Sequence, residues 1–410
     1  MKQQNFNSNT KHHKKIYFVW NYLEWGGVQI YFLGLMRSVS EKYQVKVVLP
    51  KESGGKILEY LKANNIEYEF YDGKIEFSSG GGVWAKLKRR WDYFRANWRL
   101  ARHLSKYDLK DSIIQIDVAP WSGFSLLMYL TLKTNVFVTF HTAIPKQSFL
   151  RQILLRVKFG SLTAFSRFHV VASNLDVKKS LRPLISALRY GRIEIVYSSI
   201  NIEEIEKAIK GGGTRQEMAG KYKFPAEKKW ICNVAQFIER KGCWVFLETV
   251  KILQKERDDL FFFWLGTAPL SAATIENIEQ YKLGNGFRYL SAEKIGGSRN
   301  DLLTIWKAAD LFFLPSFQEG LPVALVEAMA LGKTCIASDV NAIPEAIKHF
   351  ETGILVTAGD SEKFAAAISE LAGNASLRNK IGENAQRLVL ENFEEKVIGR
   401  KMLKLYESVN

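Results

Sequence analysis

An α/β protein built from two doubly wound parallel sheets in series is predicted by three observations. Short apolar runs alternate with amphipathic stretches along the whole chain, and alternation of that kind implies parallel sheets covered by helices on both faces. The runs fall into two groups, separated by a glycine-rich, charged stretch. The length, 410 residues, exceeds one ordinary core.

In the first half, KIYFVW (15–20), VKVVLP (45–50), SIIQID (112–117), VFVTFH (136–141) and FHVVAS (168–173) read as buried strands. In the second half the strands are WICNVA (230–235), LFFFWLG (260–266), GFRYLSA (286–292), DLFFLP (310–315), TCIASD (334–339) and GILVT (353–357). The boundary is expected near 200–225, where EKAIKGGGTRQEMAGKYKFPAEKK is rich in glycine and charge. This gives an N-terminal Rossmann-like domain over 1–200, a C-terminal one over 201–390, and a last helix (391–410) packing back on the first. Residues 1–14 are expected to be disordered, and SSGGGV (78–83) to be a mobile loop. Doubly wound sheets bind ligands at the carboxyl ends of their strands, so two facing domains would share a cleft.

Charge is uneven. Residues 1–200 hold 31 Lys and Arg against 14 Asp and Glu, whereas the remainder holds 27 against 28. The first half therefore suits an anionic partner. Three cysteines (Cys232, Cys243, Cys335) form no C-x-x-C pair, which argues against disulfides and zinc. The basic start MKQQNFNSNTKHHKK leads into no apolar signal region, and FSLLMYLTL (124–132) is too short to span a bilayer. A cytoplasmic location follows by elimination.

The unusual residues fall just after strands. Gly26 and Gly27, after the first strand, fit either a tight turn or a phosphate-approaching loop. Lys241 precedes Gly242 at a helix start, with Arg240 beside it. A cation there opposes the helix dipole unless an anion binds. In FQEGLPVALVEAMALG (317–332), Pro322 opens a helix and Gly332 closes it. Glu327 lies on an apolar face of that helix, among Val323, Ala324, Ala330 and Leu331. Either a salt bridge holds it, or it accepts hydrogen bonds from a ligand diol while N–H groups on either side of Pro322 meet the ligand's anionic end.

E-G-L-P…E-A-M-A-x-G, with seven residues between the glutamates, resembles the signature of the retaining family-four glycosyltransferases of GT-B fold. VFVTFH resembles that family's histidine-bearing strand, VVASNLDVKKSL its serine segment and NVAQFIERKG its phosphate loop. GTAP (266–269) resembles its G-x-G-P turn.

The resemblance implies that Glu327 binds the ribose of a sugar nucleotide of UDP or GDP type and that Glu319 sits at the donor sugar. It implies that Lys241, with N–H groups of Gly320, Leu321 and Val323 around Pro322, neutralises the leaving diphosphate. His141 would lie near the transferred sugar. A strand-end histidine bonded to nearby backbone is the alternative for His141. Gln236, Arg240, Gly266, Tyr289 and Leu290 would complete the donor pocket, without metal or other cofactor.

The chain departs from the family at Gln236, where an arginine is usual. One lost charge-assisted bond to a diphosphate costs about 1.5–3 kcal/mol, which Arg240 could offset. Thr267 and the segment IVYSSIN (195–201) also depart. These changes keep open a non-catalytic subunit binding sugar or partner protein, or a sugar-nucleotide epimerase on the same fold.

The stretch 84–110 holds nine basic and two acidic residues, with Trp84, Leu87, Trp91, Phe94, Trp98 and Ala101 at helical spacing. This composition suits an interfacial helix on anionic lipid. The expectation for the aromatics is the alternative, a domain helix packing its stripe on the sheet while the charge faces an anionic membrane surface. No motif supports a nucleic-acid partner. The resulting expectation is a hexosyltransferase acting on a glycan or lipid-linked acceptor in cell-envelope assembly, peripheral to the membrane.

Overall fold

The computed structural model describes residues 14–20, 27–73, 82–118, 132–295 and 299–409. The expectations for 1–13, Gly26, 78–81 and 124–131 lie outside these. The chain divides into two compact units. One runs to Tyr197 and resumes at Ile398, and the other is Ser198–Val397.

The first unit holds seven strands: β1 (Lys15–Val19), β2 (Gln44–Pro50), β3 (Glu67–Tyr71), β4 (Ile113–Val118), β5 (Asn135–Phe140), β6 (Phe168–Ala172) and β7 (Glu194–Ile195). Their order is β3-β2-β1-β4-β5-β6-β7, and every pairing is parallel. Alternate residues of these strands feed two core layers. Tyr17, Val48, Ile114 and Val138 point to one, and Phe18, Val47, Ile113 and Phe137 to the other. The second layer includes Ile398, Met402 and Tyr406 of the last helix, Glu395–Glu407. Tyr406 is fully buried and donates to Gln115 Oε1 at 2.9 Å, while Gln115 Nε2 donates to Thr139.

The second unit holds β8 (Lys229–Val234), β9 (Leu260–Gly266), β10 (Phe287–Ser291), β11 (Leu311–Leu314), β12 (Thr334–Ser338) and β13 (Ile354–Val356). They form a six-stranded parallel sheet in the order β10-β9-β8-β11-β12-β13. LFFFWLG of β9 is buried at every position, as a strand covered on both faces should be. The order reverses between β8 and β11, so the loops following these two strands flank a topological switch point.

Three features refine or correct the expectations. First, the boundary falls at Tyr197–Ser198, beside the expected 200–225, and the glycine-rich stretch itself lies inside the second unit. It forms two helices of the second unit, Ile202–Lys210 and Arg215–Tyr222, joined by a turn at Gly211–Gly213. Gly212 is needed there because a Cβ would lie 2.1 Å from Thr304 Oγ1. The helices are capped by Asn201 and by a Thr214–Glu217 capping box.

Second, β3 and β7 were not anticipated. EYEFY of β3 is a half-exposed edge strand carrying glutamates, and β7 is two residues long. Third, the aromatic stripe does not pack on the sheet. In the helix Val83–Leu104, the residues facing the core are Ala96, Asn97, Leu100, Ala101 and Leu104, whereas Trp84, Leu87, Trp91, Phe94 and Trp98 are exposed.

Candidate active site at the second unit's switch point

The loop after β8 turns through a 3-10 segment, Glu239–Lys241, into the helix Cys243–Leu253. Gly242 joins the two at φ +72°, and a Cβ there would lie 1.9 Å from the Pro315 carbonyl oxygen. Only glycine lets this loop press against the loop after β11. Phe317 N donates to Arg240 O at 2.9 Å, and Arg240 Nη1 donates to Gln318 O at 3.1 Å, which ties the two loops together.

This contact brings Lys241 onto Glu319. Lys241 Nζ lies 2.6 and 2.7 Å from the two carboxylate oxygens, and Ser316 Oγ donates to Oε1 at 2.7 Å. The Glu319 amide donates to Asn341 Oδ1 at 3.2 Å. Glu319 is buried and Lys241 is mostly so. An ammonium has three N–H donors, and Glu319 engages two of them, which leaves one for an anion. Gln236 is exposed in the same loop.

The helix Val323–Ala330 begins three residues beyond Gly320, with Pro322 as its cap. Leu325 N and Val326 N donate to the Pro322 carbonyl, whereas the N–H groups of Val323 and Ala324 have no acceptor within the helix and lie four and five residues beyond Glu319. Glu327 sits in this helix, 4% exposed, and accepts from Arg299 Nη2. Arg299 Nε also donates to Glu204 Oε1 at 2.7 Å. Burial raises the Glu327 pKa, and Arg299 pulls it back. The salt-bridge alternative thus holds for one oxygen of Glu327, and Arg299 is the partner that a buried carboxylate requires.

Gly266 ends β9 because the ring of Tyr289 lies against it, and a Cβ would approach the phenol oxygen to 1.9 Å. The Tyr289 hydroxyl donates to the Ala268 carbonyl, its ring packs edge-to-face on Phe237, and burial raises its pKa. Leu290 is buried in β10. Tyr289 thus packs on the loop after β8 through Phe237, whereas Leu290 lies in the edge strand, away from the switch point.

In the first unit, His141 follows β5. It lies 3.2 Å, Nε2 to Oδ1, from Asp117 near the end of β4, with the Tyr31 ring edge-on at 4.6 Å. Burial pushes the imidazole pKa down to about 3, so it is neutral near pH 7. Among the described residues, the charged neighbour of His141 is thus the Asp117 carboxylate. Gly27 opens the helix Gly27–Val39.

Arg299 and Asp117 were missed from sequence. Arg299 carries the signal that singled out Lys241, a cation at the start of a helix (Arg299–Ala308). Asp117 shows as a lone carboxylate closing an apolar strand.

Two parallel-sheet units of this kind define the GT-B fold, shared with the crystal structure of Anabaena HepE in complex with UDP and glucose. That chain superposes with a TM-score of 0.73 at 18% identity, covering 96% of this chain and 99% of HepE. Residues 214–388, which lie within the second unit, match the family described as glycosyl transferases group 1.

Among curated relatives, the Campylobacter jejuni N,N'-diacetylbacillosaminyl-diphospho-undecaprenol alpha-1,3-N-acetylgalactosaminyltransferase is 28% identical over 183 residues, 45% of this chain and 46% of its own. The Erwinia amylovora amylovoran biosynthesis glycosyltransferase AmsK is 27% identical over 183 residues, covering 43% and 44%. The chain spans about half the length of the curated relatives it matches. Among the described residues, no helix is long and apolar enough to cross a membrane.

Proposed function

We propose that the chain is a retaining, metal-independent glycosyltransferase that moves a hexose-type sugar from a UDP-sugar to a lipid-linked acceptor in envelope polysaccharide assembly. The observation carrying this reading is the meeting of Lys241 and Glu319 just before a helix N-terminus at the β8/β11 switch point, with the buried Glu327 about one turn into that helix. Cleaving a sugar–diphosphate bond develops negative charge on the leaving oxygen. The third N–H of Lys241 and the donors at Gly320, Leu321 and Val323 are arranged for that charge, and they supply what a metal would otherwise supply.

In this reading Glu319 has two tasks. It fixes the Lys241 ammonium, and it faces the positive charge growing at the anomeric carbon. The oxygen of Glu327 not taken by Arg299 accepts from a ribose hydroxyl. His141 serves as a neutral group at the transferred sugar. Front-face attack by the acceptor fits a site with no firmly placed nucleophile. The Campylobacter jejuni relative, whose name gives a diphospho-undecaprenol, supports an acceptor of this class, and the amylovoran biosynthesis relative supports a role in polysaccharide assembly. UDP bound to a protein of the same fold supports the base. The basic stretch 84–110 suits an anionic membrane surface.

The test is transfer from UDP-hexoses and UDP-N-acetylhexosamines to a polyprenyl-diphosphate sugar in the presence of EDTA, with the product's anomeric configuration read by NMR. An α-linked product from an α-linked donor supports the reading. Donor turnover without an acceptor would instead indicate an epimerase, and donor binding without any turnover a non-catalytic subunit.

A further inference from the structure

The outward faces of two helices in the first unit are apolar, and no other described residues cover them. On Val83–Leu104 the exposed face is Trp84, Leu87, Trp91, Phe94 and Trp98, with Trp84 at 84% exposure. On Phe149–Ala164 it is Phe149, Leu150, Ile153, Leu154 and Val157, with Phe149 at 76% and Leu154 at 70%. These residues stand one, four, five and eight positions from Phe149, which is a single helical face. The opposite side of that helix holds the buried Phe159, Leu162 and Thr163.

Leu100 and Leu104 of the first helix share a core layer with Phe159 and Leu162 of the second. Both helices therefore cover the same face of the seven-stranded sheet and turn their apolar stripes away from it. The flanking charge is mostly positive. Residues 146–167 contain Lys146, Arg151, Arg156, Lys158 and Arg167 and no carboxylate, and 84–110 holds nine basic against two acidic residues.

We infer that the two helices together form a membrane-docking surface, with Phe149–Ala164 as a second insertion element beside Val83–Leu104, and that the occupant is an anionic lipid bilayer. Soluble proteins rarely leave so much contiguous apolar side chain in water. A protein partner would need acidic groups around an apolar centre. A bilayer supplies an apolar interior under anionic headgroups, and tryptophan favours that boundary. The inference rests on the lipid-linked acceptor reading for its place in the reaction, but its physical claim is measured without turnover.

The test is co-sedimentation of the full chain with phosphatidylcholine vesicles, with and without phosphatidylglycerol, over a salt series. Binding is expected only with the anionic vesicles, and it should weaken as salt rises. The substitutions Leu154→Glu with Val157→Glu, and separately Trp91→Glu, should each weaken partitioning about tenfold or more. Because all three side chains are exposed, the UDP-induced thermal shift and transfer to a water-soluble acceptor analogue should be kept.

Failure of the wild type to bind anionic vesicles overturns the inference, as does undiminished binding by the Leu154/Val157 variant. A dimer that dissociates on the same substitutions, without vesicle binding, assigns the face to a second copy and overturns it too. If vesicle binding holds but no sugar is transferred, the fault lies with the enzymatic reading and not with this surface.

Discussion

At Glu327, burial and a single arginine pull in opposite directions. Burial raises its pKa while Arg299 holds it down, so the carboxylate protonates at higher pH than an ordinary one. Nucleotide binding through the ionised form should therefore decline on acidification earlier than an exposed carboxyl would predict. Replacing Glu327 by Gln should flatten that dependence and weaken UDP affinity by roughly 10–100-fold, the worth of one charge-assisted bond. Calorimetric titrations across pH check both.

Lys241→Ala and Glu319→Gln should act on turnover instead, lowering kcat by roughly two to three orders of magnitude with a smaller change in UDP affinity. Steady-state kinetics paired with UDP binding measures the split. His141 gives a stability prediction. Its folded pKa, about 3, lies below the ordinary value of 6.5, so from pH 6.5 downwards only the unfolded chain takes up the proton. Stability is then lost as pH falls through that window, by at most about 1.4 kcal/mol per pH unit from this group. Urea unfolding at pH 7 and pH 5 should show a smaller loss in His141→Asn than in the wild type. Equal losses would remove the buried neutral histidine from the account.

At the scale of elements, the loops after β8 and β11 depend on Gly242. Its positive φ and the Pro315 carbonyl leave no room for a side chain. Gly242→Ala should cost about 2 kcal/mol or more in stability and should also displace Lys241, so melting temperature and kcat fall together. Circular dichroism melts alongside kinetics check this.

Legibility from sequence follows the same physics. The buried parallel strands were readable because both of their faces are apolar, as in LFFFWLG. EYEFY escaped because an edge strand keeps charged residues on its wet side. The Glu319 and Lys241 positions were readable because each follows a strand at a helix start. Arg299 as the partner of Glu327 was not, since 28 residues separate them and only the fold joins them. The periodicity of Trp84, Trp91 and Trp98 identified one face of a helix. Periodicity alone does not say whether that face meets the core or water, and the packing of Leu100 and Leu104 decides it.

At the scale of the molecule, the first unit is built from both ends of the chain. Ile398, Met402, Leu403 and Tyr406 complete a core layer whose other buried members precede residue 200. Tyr406→Ala should therefore cost about 3–5 kcal/mol in the first unit, as loss of a large buried aromatic does. The second unit, lying between these segments in sequence, should retain UDP binding. Thermal unfolding followed with and without UDP distinguishes the two.

The central claim is that the β8/β11 switch point binds a nucleotide diphosphate through Lys241, the N-terminal N–H groups of the helix Val323–Ala330, and Glu327. Calorimetric titration of UDP into the wild type and Glu327→Ala, both in EDTA, tests it most directly. The account predicts saturable one-to-one binding by the wild type and affinity weakened at least about tenfold in the variant. No binding by the wild type, or equal affinity in both proteins, would contradict it.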